Sequence, residues 1–212
     1  MRFLYKSAVV FDDHQLFADS FSSLLDKTKK FQEIRVMSDY ESLLQYLIED
    51  VRVEIFLFLD YYLADGMLGV EVMNEVRRLR KNIHIIIVSS VSNPTTIQMI
   101  KSYSPKAVIS KASGFEIVLK CLQALSNKED YCCPYIREIL EQAINEEVVT
   151  FSTREIEVLK YFAQGLSVVE TADKLIISKH TVVSHRRNMM KKTNSKTIIE
   201  LLSYVRNHGI IK

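Results

Sequence analysis

The chain has 212 residues, 48% of them apolar and 25% charged, which suits a globular protein with room for two cores. Its longest purely apolar runs, Ile55 to Leu59 and Ile85 to Val88, are too short to cross a bilayer, and the opening MRFLYKSAVV lacks the pattern of a secretory leader, so no membrane or export segment is expected. Net charge is +2, but residues 1–126 carry 15 Lys+Arg against 15 Asp+Glu, residues 127–148 carry 2 against 6, and residues 149–212 carry 11 against 5, so an anionic partner is expected for the last third alone.

In chain order, short apolar runs alternate with amphipathic stretches. Strands are predicted at Ala8–Phe11, Ile34–Met37, Ile55–Leu59, Ile83–Val88 and Ala107–Ser110. Between and after them helices are predicted at Asp13–Leu25, with Leu16, Phe17, Phe21, Leu24 and Leu25 at helical spacing, then at Glu41–Ile48, Val70–Arg80, Thr95–Ser102 and Phe115–Leu125. Five β–α units with continuous apolar strands imply a five-stranded, doubly wound parallel sheet covered on both faces. Right-handed crossovers then bring every strand-to-helix loop to one edge.

Those loops hold Asp12 and Asp13 after the first strand, Asp60 after the third, Ser89 and Ser90 after the fourth, and Lys111 after the fifth. Taken singly, each has a plain explanation as a helix cap or a solvated charge. Taken together they are chemically complementary. Hard carboxylate oxygens suit Mg2+, which keeps sites for water and phosphate. A carboxylate can itself be the nucleophile of phosphoryl transfer, while a lysine and a hydroxyl meet the phosphoryl oxygens. Asp60, at the end of the middle strand, is the best nucleophile.

The segments VVFDDHQLF, FLFLDYYLADGMLG, IIIVSSVSN and AVISK resemble the receiver domain of two-component response regulators, and DDHQLF with SVSN resembles the NarL/FixJ subfamily. The resemblance implies a flavodoxin-like receiver over residues 1–126, phosphorylation at Asp60 by a sensor histidine kinase or small phosphodonor, and Mg2+ held by Asp12, Asp13, Asp60 and the Tyr62 carbonyl. It also implies a phosphoryl-contacting Lys111 and a switch hydroxyl at Ser89, with Ser90 as the alternative. The chain departs from that pattern at Leu63-Ala64, where Met-Pro is usual, at Gly69, one place late, at Val108, where an aromatic is common, and at Ala112.

The helix at Phe115–Leu125 carries Cys121, and Cys132 and Cys133 lie in the connector beyond it. An odd set with two adjacent members makes no disulfide framework or metal spacing, which suits the cytoplasm. Residues 127–148 read as a linker through Pro134 into a short amphipathic helix (Ile136, Ile139, Leu140, Ala143) with an acidic side at Glu138, Glu141, Glu146 and Glu147.

Residues 149–212 read as an all-helical module. Ser152-x-x-Glu155 and Ser167-x-x-Glu170 are capping boxes, the first helix ends at Gly165, and Ser178 caps a basic third helix, KHTVVSHRRNMMKK. Two helices joined by a tight turn, the second basic, are the sequence form of a helix-turn-helix. By its ~100° step, the third helix puts Val182, Arg186 and Met189 on a scaffold side, flanked by His185 and Met190. Val183, Ser184 and Arg187 face the bases, while Lys179, His180, Thr181, Arg186, Lys191 and Lys192 suit phosphates. The stretch from Phe151 to Lys192 is similar to the LuxR-type helix-turn-helix, whose base-facing positions fall on the same three residues. In that family the last helix, Ile198–His208, supports dimerisation, which implies a homodimer in the active form.

The whole reads as a response regulator: an α/β receiver joined by a helical linker to an all-α helix-turn-helix domain, with phosphorylation of Asp60 controlling dimerisation and DNA binding, and not an enzyme. The alternatives are a DNA-binding regulator whose receiver is degenerate and independent of phosphorylation, and a phosphohydrolase with Asp60 as nucleophile.

Overall fold

The computed structural model describes residues 5–49, 53–79, 82–142 and 149–211. Arg80, Ala143, Glu146 and Glu147 lie outside the described residues. Two compact units are present, one formed by residues 1–92 and 100–142 and the other by residues 93–99 and 143–212.

The first unit holds β1 (Tyr5–Phe11), α1 (Gln15–Lys27), β2 (Glu33–Met37), α2 (Tyr40–Glu49), β3 (Val53–Leu59), α3 (Gly69–Arg78), β4 (Ile83–Ser89), β5 (Ala107–Ser110), α5 (Phe115–Ser126), β6 (Tyr131–Cys132) and α6 (Pro134–Gln142). Helix α4 (Pro94–Ser102) is divided between the units. The sheet is wholly parallel in the order β2-β1-β3-β4-β5-β6. It has six strands, not the expected five. Tyr131 and Cys132 pair with Ala107 and Val108, so residues 127–142 of the anticipated connector belong to the first unit. A two-residue strand shows no periodicity, and Pro134 hides it by signalling a turn. What forms it is the free edge of β5: the carbonyls of Val108 and of Lys106, just before the strand, accept from the Cys133 and Tyr131 amides.

Residues Ile55 to Leu59 are each at most 6% exposed, as a strand covered on both faces requires. Ala8, Val10, Phe58, Ile86, Val88 and Ile109 share one core cluster with Phe21 and Leu25 of α1 and Val118 and Leu122 of α5. Helix α1 buries Phe21 and Leu25 of the expected face together with Ala18, and half-buries Phe17 and Leu24, while Leu16 is 84% exposed. Helix α3 matches expectation, burying Val72, Met73 and Val76.

The second unit contains α7 (Thr153–Ala163), α8 (Val168–Leu175), α9 (Lys179–Lys192) and α10 (Ile198–Asn207). Ser152 with Glu155 and Ser167 with Glu170 form both capping boxes, and Ser178 Oγ accepts the Thr181 amide of α9 at 3.0 Å. The reversal after α7 is made at Gly165, with φ +86°, a left-handed position that suits glycine. Among its core residues are Ile156, Leu159, Ala172, Val182, Met189, Leu201 and Val205.

Candidate functional site

Strand register assembles the charged edge of the first unit. Phe11 of β1 pairs with Leu59 of β3, so the next residues along, Asp12 and Asp60, leave the sheet side by side. Ser89 of β4 pairs with Ser110 of β5, which delivers Lys111 to the same edge. The polar backbone is satisfied on the way out: the Asp60 amide donates to the Phe11 carbonyl at 3.0 Å and the Lys111 amide to the Ser89 carbonyl at 2.9 Å.

The side chains converge as their strand-end positions predict. Lys111 Nζ lies 2.8 Å from Asp12 Oδ2 and 2.7 Å from Asp60 Oδ2, and 4.6 Å from the centroid of the Phe17 ring. Asp12 and Asp60 are 2% and 4% exposed, and burying two carboxylates is tolerable only because one ammonium serves both. The second Asp60 oxygen, Oδ1, accepts the Tyr61 amide at 2.6 Å. Asp12 Oδ1 accepts the His14 amide at 2.9 Å. Asp13 does not cap α1, whose N-cap position is His14; its buried Oδ1 has no hydrogen-bond partner.

At the end of β4, Ser89 is buried and its Oγ is likewise without a partner, whereas Ser90 is exposed. An unsatisfied buried hydroxyl costs roughly 1–3 kcal/mol, which a ligand oxygen would recover. The loop beyond Asp60 absorbs its extra residue in a 3-10 turn at Ala64–Gly66, closed by a bridge between Tyr62 and Leu68. Gly69 then passes so close that a Cβ there would sit 2.6 Å from the Asp60 carbonyl oxygen. Neighbouring Tyr61 is fully buried with an unpartnered hydroxyl, and burial pushes its phenol well above the ordinary range.

The donor set fits a hard divalent cation. Ligand atoms of Asp12, Asp13, His14 and Asp60 all lie within 4.8 Å of one another, and three carboxylates so placed suit Mg2+, which takes hard oxygen donors. Periodicity and motif gave His14 and Phe17 no role at this edge. The signal for His14 was its place directly after the two aspartates; for Phe17 it was one helical turn from Asp13.

In the second unit the α9 face divides as expected. Val182 and Met189 are fully buried, Arg186 and His185 are half-buried, and Arg187 and Asn188 are exposed. Val183 is 39% exposed and Ser184 half-buried; Lys179, His180 and Lys191 are exposed, and Thr181 half-buried. Lys192 differs from the others. Its Nζ donates to Glu155 Oε2 at 2.7 Å and to the Thr150 carbonyl at 3.0 Å, while its side chain stays 40% exposed. The turn before α9 is held by Arg154, whose Nη2 donates to the Leu175 carbonyl at 2.7 Å, and it carries Ile176 in the left-handed region at φ 54° with 92% exposure.

Comparison with known proteins matches residues 8–123 to the response regulator receiver domain and residues 149–205 to the bacterial regulatory proteins of the luxR family. Similar curated proteins include the Fimbriae Z protein of Escherichia coli K12, 26% identical over 97% of this chain and 98% of that one. The oxygen regulatory protein NreC of Staphylococcus epidermidis is 24% identical over 92% and 94%. The DNA-binding transcriptional activator EvgA of Escherichia coli K12 is 23% identical over 96% and 99%. Among solved structures, one of two RcsB dimers bound to two parallel DNAs has a TM-score of 0.62 at 21% identity, covering 95% of this chain and 98% of that one. The RcsB response regulator of Salmonella typhimurium gives 0.61 at 22%, covering 96% and 99%.

Proposed function

We propose, from the premise that this chain belongs to the response regulators, with a receiver domain joined to a LuxR-type module, that a phosphoryl group on Asp60 controls its dimerisation and its binding to specific DNA sites. The observation that carries the reading is the buried Asp60 carboxylate, 2.7 Å from Lys111 Nζ and on the same sheet edge as an unpartnered Ser89 hydroxyl.

An Asp60 oxygen attacks the phosphorus of a kinase phosphohistidine or a small acyl phosphate. The donor's bond to phosphorus breaks as the aspartyl phosphate forms. Asp12, Asp13, Asp60 and the Tyr62 carbonyl would hold Mg2+, which when bound supplies positive charge against the phosphoryl oxygens. Lys111 gives up its bridge between Asp12 and Asp60 for a phosphoryl oxygen, and Ser89, rather than Ser90, donates its idle hydroxyl to another. The gain in negative charge and the loss of two ion pairs are local events that a bistable element can report.

In the output module α9 enters the major groove. Arg187 reads guanine, Val183 touches a thymine methyl, and Ser184 makes a less selective contact. Lys179, His180, Thr181, Arg186, Lys191 and Lys192 engage phosphates. A homodimer on DNA accords with the RcsB dimers named in the similar structure, and a cytoplasmic regulator accords with the absence, among the described residues, of a helix long and apolar enough to cross a membrane. The site is read as a store of the phosphoryl group and not as a phosphohydrolase; turnover of a phosphomonoester would count against this.

Incubation with labelled acetyl phosphate and Mg2+ tests the acceptor: wild type takes up label and Asp60→Asn does not, whereas label surviving the substitution removes Asp60 from its role. A phosphorylation-independent regulator is the second reading, favoured by Val108, a buried valine where the family commonly has an aromatic. Unchanged size and DNA affinity on adding a phosphoryl mimic would select it.

A further inference from the structure

The parallel strands carry polar side chains at both ends, and the amino-terminal end takes no part in the phosphoryl site. Register sets Lys6 opposite Glu54 and Phe56 opposite His84, so these four side chains share one face of the sheet. That face is the one covered by α1 and α5, since Phe56 and Phe58 cluster with residues of both helices. Glu54 and His84 are polar interruptions of apolar strands, and they answer each other. His84 Nε2 lies 2.8 Å from Glu54 Oε1, and the His84 ring centroid 4.7 Å from that of Phe56.

Helix α5 ends at Ser126 and leaves open a cavity of about 450 Å3 beside this patch. A second hollow of about 230 Å3 adjoins it, with Lys6, Phe56 and Ser126 lining both. Phe31, Phe56, Leu122 and Leu125 supply apolar wall, and lysines at 6, 30, 106 and 128 supply positive charge. The opposing charges are Glu54 and Glu129, together with Asp130, 2.8 Å from Lys106 Nζ. Lys6 is held loosely, at 3.8 Å from Glu54 Oε2, and Lys30 and Lys128 form no ion pair among the described residues. Lys128 also stands at φ 63°, a left-handed position that glycine or asparagine takes at lower cost.

We propose that this cavity binds a small organic acid, its carboxylate between Lys6 and Lys128 and its apolar body against Phe31, Phe56 and Leu122. Its size and mixed lining are those of a small-molecule site. The apolar wall gives nothing to a bare anion and the ammonium groups give nothing to a neutral hydrocarbon, so the pairing selects a molecule with both halves. The six residues from Lys6 to Asp12, and from Glu54 to Asp60, put this site about 20 Å from the phosphoryl site along the same strands. A ligand here therefore addresses the receiver from the edge opposite Asp60. The competing account has the lysines only screening the negative ends of α1 and α5 and drawing anions diffusely; it predicts no advantage for an apolar body.

The experiment is amide-resolved NMR titration of the full chain with sodium benzoate and sodium octanoate, an aromatic and an aliphatic body. Acetate, which lacks the body, and benzyl alcohol, which lacks the charge, serve as controls. The variants are Lys128→Ala and Ser126→Trp; both positions are exposed, so neither substitution disturbs the core. Expected are saturable shifts centred on the Phe56, Ser126 and Lys128 amides with at least one of the two acids, at least about tenfold tighter than with either control. Lys128→Ala should weaken that binding about tenfold, and Ser126→Trp, which fills the mouth, should abolish it. No saturable shift with either acid overturns the proposal, as does acetate matching both of them. Binding unchanged in both variants, or shifts centred on Ser89 and Lys111 instead, overturns it equally.

Discussion

At the carboxyl edge of the sheet, Asp12 and Asp60 are almost wholly withdrawn from water and share one ammonium, whereas on α9 the charges of Lys179, Arg187 and Lys191 stand in solvent. The contrast suits the task proposed for each region. Withdrawn charges interact strongly with their neighbours, so adding a phosphoryl group there upsets a tight local balance. Exposed cations interact weakly with their own protein and keep their reach for a polyanion. Lys192 on α9 stands between the two, exposed yet bonded to the buried carboxylate of Glu155.

Substitutions sharpen this contrast in order of size. Lys111→Met strands two buried carboxylates and is expected to cost about 3–5 kcal/mol of stability without metal. Urea denaturation should show that loss and its partial recovery on adding Mg2+; wild-type stability without metal would mean that water reaches the pair. Gly69→Ala drives a Cβ into the Asp60 carbonyl, costing about 1–3 kcal/mol by overpacking and slowing uptake of label from acetyl phosphate. Ile176→Asn should stabilise the second unit by about 1 kcal/mol, since a left-handed β-branched residue is strained and asparagine is not; a higher thermal midpoint checks it. Arg187→Ala should leave stability within about 0.5 kcal/mol yet lose about 1–3 kcal/mol of base discrimination on a cognate DNA site. A uniform loss across DNA sequences would make Arg187 a phosphate contact.

Much of this was legible before any coordinates. The apolar runs at Ala8–Phe11 and Ile55–Leu59, each bounded by turn residues, read as buried strands, and a parallel sheet sends the residues after them to one edge. Likewise the serine–glutamate pairs announce the starts of α7 and α8 through the amides they satisfy. Three features were not legible. Strand β6 is too short to carry a pattern and exists because β5 offers a free edge. The burial of α1 shifted from Leu16 to Ala18 because helical spacing marks a stripe but not which side of the stripe the sheet takes. Lys192 looks like its basic neighbours until Glu155, far away in sequence, is found beside it.

By itself, then, the amino-acid sequence determined the alternation of elements, the placing of Asp12, Asp60, Ser89 and Lys111 at strand ends, and the division of α9 into a packed and an open face, since each depends on local periodicity and chain direction. Tertiary structure alone decided that one lysine bridges two carboxylates, that Ser89 Oγ is left without a hydrogen-bond partner, and that His14 closes on three aspartates. Those are facts of ångström distances between residues up to 99 positions apart, as from Asp12 to Lys111, and register and packing, not periodicity, set such distances.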